Sequence, residues 1–107
     1  MRILLDESVP VQLRKALPNH EVKSAVEMGW RGVSNGELLD RGEAAGFNLL
    51  IIADKSFPYQ QNLEGRRIAI LELWTNHRPT LEKHFARISA AAESARSGRF
   101  VVLNEKT

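Results

Sequence analysis

The chain has no cysteine, one tyrosine and two tryptophans in its 107 residues. The missing thiols exclude a disulfide scaffold, a cysteine-ligated zinc site and a thiol nucleophile together. No apolar run approaches the roughly 18 residues that a membrane span needs. The opening MRILLDE carries charge and has no apolar h-region, so a secretory leader is not expected. A glycine-rich phosphate loop and a G-x-S-x-G elbow are missing as well, which leaves P-loop nucleotide hydrolysis and serine acyl transfer without support. No repeat, low-complexity tract or linker divides the sequence. The expectation is one soluble, cytoplasmic domain over residues 1–107, able to bury about two thirds of its unfolded surface without metal or disulfide.

What is present is organised by charge. The formal net charge of +2 is small, and it is weak ground for a nucleic-acid partner. Its distribution says more: residues 1–53 carry six Lys/Arg against seven Asp/Glu, whereas residues 54–107 carry nine against six. Arg66, Arg67, Arg96 and Arg99 belong to the basic half. A phosphate-tracking surface gains weight there only beside an acidic cation site.

Short apolar runs alternate with helical patterns from end to end, which predicts an α/β domain with a mainly parallel sheet. Residues 2–5 read as a buried strand. Ser8 is the expected cap of a helix with Val9, Leu13, Ala16 and Leu17 on one face, stopped at Pro18. Residues 20–24 give an edge strand, and a second helix starts at Ser34 or Asn35 and ends at Gly46. The run NLLIIA over 48–53 is the expected central strand. A fourth strand covers 67–73. Pro79 then opens one long helix with Leu81, Phe85, Ile88, Ala92 and Ala95 on a stripe, and 100–103 forms a fifth strand.

In an open parallel sheet, ligands gather beyond the carboxyl ends of the strands, where strand order reverses. Asp6 and Asp54 end the first strand and the expected central strand. Paired strands lie about 4.8 Å apart, so two carboxylates at matched ends can share one cation. With Glu7 beside them the ligands are all oxygen, which suits Mg²⁺ or Mn²⁺. Glu37, in the first turn of the second helix, is the best further acid. Asp40 and Glu43 are read as ordinary helix acids, and His20, His77 and His84 as surface residues or helix partners.

The segments RILLDESVP, VSNGELL and LLIIADKSF resemble, in order and spacing, those of the PIN-like nucleases. The likeness runs over nearly the whole chain and is nearest to small stand-alone bacterial proteins often encoded as toxins beside a short antitoxin. It implies a three-layer α/β/α sandwich with a mainly parallel five-stranded sheet, and an acidic Mg²⁺ or Mn²⁺ site that cleaves RNA. Carried over by position, Asp6 and Asp54 are the catalytic metal ligands and Glu37 the surviving helix acid. Asn35 and Ser56 stand where the family usually has carboxylates, which leaves them as polar substrate contacts. Tyr59, Gln60, Gln61 and Asn62 then offer contacts to RNA, and Arg66 and Arg67 steer phosphate.

Implied partners are RNA and a small antitoxin protein, with a homodimer left open. Two other readings compete. The replaced acids at Asn35 and Ser56 suit a binding module that has lost catalysis. Asp6 with Glu7, Asp54, Pro58 and Thr75 also match the spacing of a phosphoacceptor receiver domain.

Overall fold

A computed structural model gives the fold and describes residues 1–53, 63 and 65–105. The apolar runs form β1 (Arg2–Leu5), β2 (Glu21–Ser24), β3 (Leu49–Ile52), β4 (Ala69–Leu73) and β5 (Phe100–Leu103). Between them lie a 3₁₀ helix (Val11–Ala16), α1 (Asn35–Ala44), α2 (Arg78–Glu82) and α3 (Phe85–Glu93). The strands make one sheet in the order β2-β1-β3-β4-β5, and every pairing is parallel. Strand order therefore reverses between β1 and β3, where Ile3 pairs with Leu49 and Leu5 with Ile51. The two strands that carry the expected acids are neighbours.

Every residue of β3 and β4 is buried, as a near-continuous aliphatic run requires when both faces of a parallel sheet are covered. Alternation along the strands sends Ile3, Leu5 and Ile51 to one face, against Leu13 of the 3₁₀ helix, Leu81 of α2 and Ile88 of α3. Leu4, Leu50, Ile52 and Ile70 face the other way, against Leu38 and Leu39 of α1. Each such side chain contributes about 1.5–3 kcal/mol on burial. The result is an α/β sandwich with helical segments on both faces of the sheet. Gly42 lets α1 approach closely, since a Cβ there would stand 3.1 Å from Leu4 Cδ2 and 3.4 Å from Ile68 Cδ1. Among the described residues, no helix is long and apolar enough to cross a membrane.

The helical segments depart from the sequence pattern in two places. The first is a six-residue 3₁₀ helix rather than an α-helix, and Ser8 does not cap it. Pro10, extended at φ −63° and ψ 135°, is the residue before that helix, so little chain remains ahead of Pro18. Leu13 and Ala16, three apart, match the 3₁₀ period and are both buried. The second departure is a break between α2 and α3, where the long helix was expected to run through. His84 adopts φ −125° and ψ 21° and packs edge-on against Trp74, with ring centroids 5.1 Å apart. The stripe itself survives the break: Leu81, Ile88 and Ala92 are buried and Phe85 and Ala95 pack beside them. At α1, Ser34 is the cap, its Oγ accepting from the Glu37 N–H at 3.3 Å.

Candidate functional site

Because all strands run the same way, residues that follow a strand gather at one edge of the sheet and residues that precede one gather at the other. Asp6 stands at the carboxyl edge, directly beyond β1. Its N–H donates to the Ile51 carbonyl at 3.0 Å, which prolongs the β1–β3 pairing, and its carbonyl accepts from the Val9 N–H at 3.0 Å, which turns the chain. The Ser8 N–H and Oγ both donate to Asp6 Oδ2, at 3.2 and 2.6 Å. The same Oγ accepts from the Ala53 N–H at 3.1 Å. One hydroxyl thus joins the acid after β1 to the residue after β3, across the reversal. Asp6 is half-buried, and its Oδ1 has no hydrogen-bond partner among the described residues.

Glu7 turns to a different task. Its Oε1 accepts from the Gly32 N–H at 2.5 Å and so fastens the loop that leads from β2 to α1. The amino end of α1 points toward the carboxyl edge, as the return from β2 demands, so Asn35 and Glu37 stand on the same edge as Asp6. Glu37 pairs along its own helix with Arg41 at 3.5 Å. Among the described residues, no three His, Asp or Glu side chains come together as a ligand set for a metal ion. Asp54, Ser56, Tyr59, Gln60, Gln61 and Asn62 lie outside the described residues.

One acid at this edge escaped the sequence reading. Glu72 is buried in β4, alternates with Ile70 and so belongs to the face covered by α1. It pairs in register with Ile52, and the continued β1–β3 register sets Asp6 on the other side of Ile52. Asp6 and Glu72 therefore flank one isoleucine on one face, with Cα atoms about 10 Å apart from the strand spacing. The signal was a carboxylate within the otherwise apolar run AILEL, where charge is rarely buried without a reason.

Arg66 and Arg67 precede β4, so they stand at the amino edge of the sheet, whereas Asp6 stands at the carboxyl edge. Arg66 pairs with Asp40 at 2.8 Å and with Glu43 at 3.3 Å, and the Arg67 N–H donates to Glu43 Oε2 at 2.6 Å. Asp40 and Glu43, read as solvated helix acids, hold the chain entering β4. Both tryptophans pack against the core: Trp30 meets Phe47 edge-on at 6.2 Å, and Trp74 lies under Arg87 at 5.3 Å. His20 is a helix partner, its Nε2 2.6 Å from Glu93 Oε1 of α3.

Compared with family models, with curated proteins and with solved structures, the chain matches none.

Proposed function

We propose that the carboxyl edge at the β1–β3 reversal is a metal-dependent phosphodiester-cleaving site that acts on RNA. The observation that carries this reading is the Asp6 carboxylate. Oδ2 is held by Ser8, Oδ1 has no hydrogen-bond partner among the described residues, and the whole group stands at the crevice where open parallel sheets bind ligands. A free carboxylate oxygen fits Mg²⁺ or Mn²⁺, and Asp54, next in the chain after Ala53, is the natural second ligand. Glu37 shares the edge and Glu7 keeps Oε2 in reserve. When bound, a divalent cation would polarise the scissile phosphate and lower the pKa of an attacking water.

The chain's own contribution is preorganisation. Ser8 holds the Asp6 carboxylate and accepts the Ala53 N–H with the same hydroxyl, so Asp6 is positioned before a cation arrives. RNA is the proposed substrate, with Asn35 as a polar contact at the start of α1. A small protein antitoxin or a second copy of the chain remains the proposed partner class from the resemblance. The test is cleavage of single-stranded RNA by purified protein in Mn²⁺ or Mg²⁺, with Asp6→Asn beside wild type. Loss of cleavage in the variant is expected. Equal cleavage by both, or none by wild type, overturns the reading.

The strand order favours one second reading. Order 2-1-3-4-5 with an acid beyond the first strand is also that of phosphoacceptor receiver domains. Thr75 stands just past β4, where a receiver has its hydroxyl, but its Oγ1 accepts from the His77 N–H at 3.1 Å. Incubation with acetyl phosphate and Mg²⁺ separates the two, since only a receiver gains a hydroxylamine-labile phosphate.

A further inference from the structure

The amino edge of the sheet carries a second recess, remote from Asp6. A cavity of about 270 Å³ is lined by Met1, Asn48, Arg67, Ala95, Arg96 and Ser97. The starts of β1, β3 and β4 form one side and the turn between α3 and β5 the other. No carboxylate lines it. The Arg67 guanidinium has no ion-pair partner among the described residues, because the acid beside it, Glu43, is committed to Arg66 and to the Arg67 backbone. Arg96 is likewise without an acidic partner among them, and its Nη1 donates to the Ala95 carbonyl at 2.9 Å. Asn48 Oδ1 accepts from the Arg2 N–H at 2.8 Å, so the amide's acceptor end is occupied and its NH₂ end, a pure donor, is left over. Ser97 adds a hydroxyl that has no partner among the described residues.

We infer that this recess binds a phosphate monoester. The two guanidinium groups and the Asn48 NH₂ are pure donors and the Ser97 hydroxyl can also donate, so the recess favours an anion over a cation. Two guanidinium groups match the nearly double charge of a monoester near neutral pH, whereas a phosphodiester carries only one. One guanidinium fork takes both oxygens of a carboxylate, whereas the three terminal oxygens of a phosphate monoester can serve two forks at once. The volume lies just below the range of ordinary small-molecule sites, which fits a phosphate with a sugar-sized substituent. The turn that presents Arg96 and Ser97 is anchored: the Gly98 N–H donates to the Ile68 carbonyl at 3.1 Å and the Arg99 N–H to the Arg96 carbonyl at 3.1 Å. This inference is independent of the reading given to the Asp6 edge.

The test is an amide-detected NMR titration of the full chain with inorganic phosphate, with uridine 5′-monophosphate and with a dinucleoside phosphodiester that has hydroxyl ends. Saturable shifts at Asn48, Arg67 and residues 95–98 are expected for the first two probes, with binding at least tenfold weaker for the diester. Arg67→Gln and Arg96→Gln should each weaken nucleotide binding about tenfold. Arg31→Gln, which removes the same charge at the opposite edge, should leave it unchanged. No saturable shift at these residues, an equal loss in Arg31→Gln, or equal affinity for the diester overturns the inference. Guanidinium and amide side chains at the recess are exposed, so the variants retain the fold, and wild-type-like spectra away from the recess verify it.

Discussion

Ser8 Oγ donates to Asp6 Oδ2 at 2.6 Å while accepting the Ala53 N–H at 3.1 Å, so a single hydroxyl couples the ends of the two strands at the reversal. Ser8→Ala removes both bonds and leaves a partly buried backbone donor unpaired. The expected cost is about 1–2 kcal/mol, read as a lower urea midpoint at unchanged m-value. Ser8→Thr keeps the hydroxyl and should recover most of that loss. A silent Ser8→Ala variant would mean that water replaces the hydroxyl without penalty.

Arg2 closes the opposite edge. Its Nε lies 2.9 Å from Glu21 Oε2, its Nη1 donates to the Ala45 carbonyl at the end of α1, and its guanidinium carbon stands 4.3 Å over the Phe47 ring. Exposed ion pairs contribute little, whereas the carbonyl bond and the ring contact tie α1 to β1. Arg2→Ala should therefore cost about 1–2 kcal/mol, and Glu21→Ala under about 0.5 kcal/mol. Thermal unfolding of the two variants distinguishes them; equal losses would assign the effect to the ion pair instead.

The strands were legible because a sheet buried on both faces demands aliphatic runs, and NLLIIA and AILEL have no other economical use. The adjacency of β1 and β3 followed from the reversal rule alone. Long-range polar contacts were not legible. Ser8 has the composition of a helix cap, and only the folded chain brings Ala53, far away in sequence, to its hydroxyl. Arg66 likewise looks like a free cation in sequence and becomes the partner of Asp40 and Glu43 once β4 packs beside α1. The helix break at His84 has no glycine or proline to announce it, and its edge-on contact with Trp74 exists only in the folded chain.

Glu27 gives the fold a pH dependence. Its carboxyl accepts from the Ser24 N–H at 2.9 Å and pairs with Arg14, and these contacts hold its pKa below the ordinary glutamate value. The folded state thus binds this proton more weakly than the unfolded chain. The resulting stability is present above the unfolded pKa and is lost as pH falls through the lowered folded value. Solvent exposure of both partners keeps the effect small. Comparing wild type with Glu27→Gln, the stability gap at pH 7 should narrow as pH falls through and below the ordinary glutamate range. A gap that stays constant across that range would assign it to lost packing rather than to charge.

Gly98 governs the turn that carries Arg96 and Ser97. It sits at φ +73°, a conformation that other residues adopt at a cost, and a Cβ there would stand 3.1 Å from the Leu63 carbonyl oxygen and 3.3 Å from that of Arg66. Both neighbours are backbone, so they cannot swing aside as a side chain would. Gly98→Ala must either strain the turn or push it away from the segment entering β4, breaking the bond from Gly98 to Ile68. We expect a loss of about 1–3 kcal/mol by chemical denaturation. If the turn moves, Arg96 and Ser97 move away from Arg67 and Asn48. The variant should then bind uridine 5′-monophosphate more weakly even under conditions where it is fully folded. Full affinity in a destabilised Gly98→Ala protein would show that the recess does not depend on the turn's position.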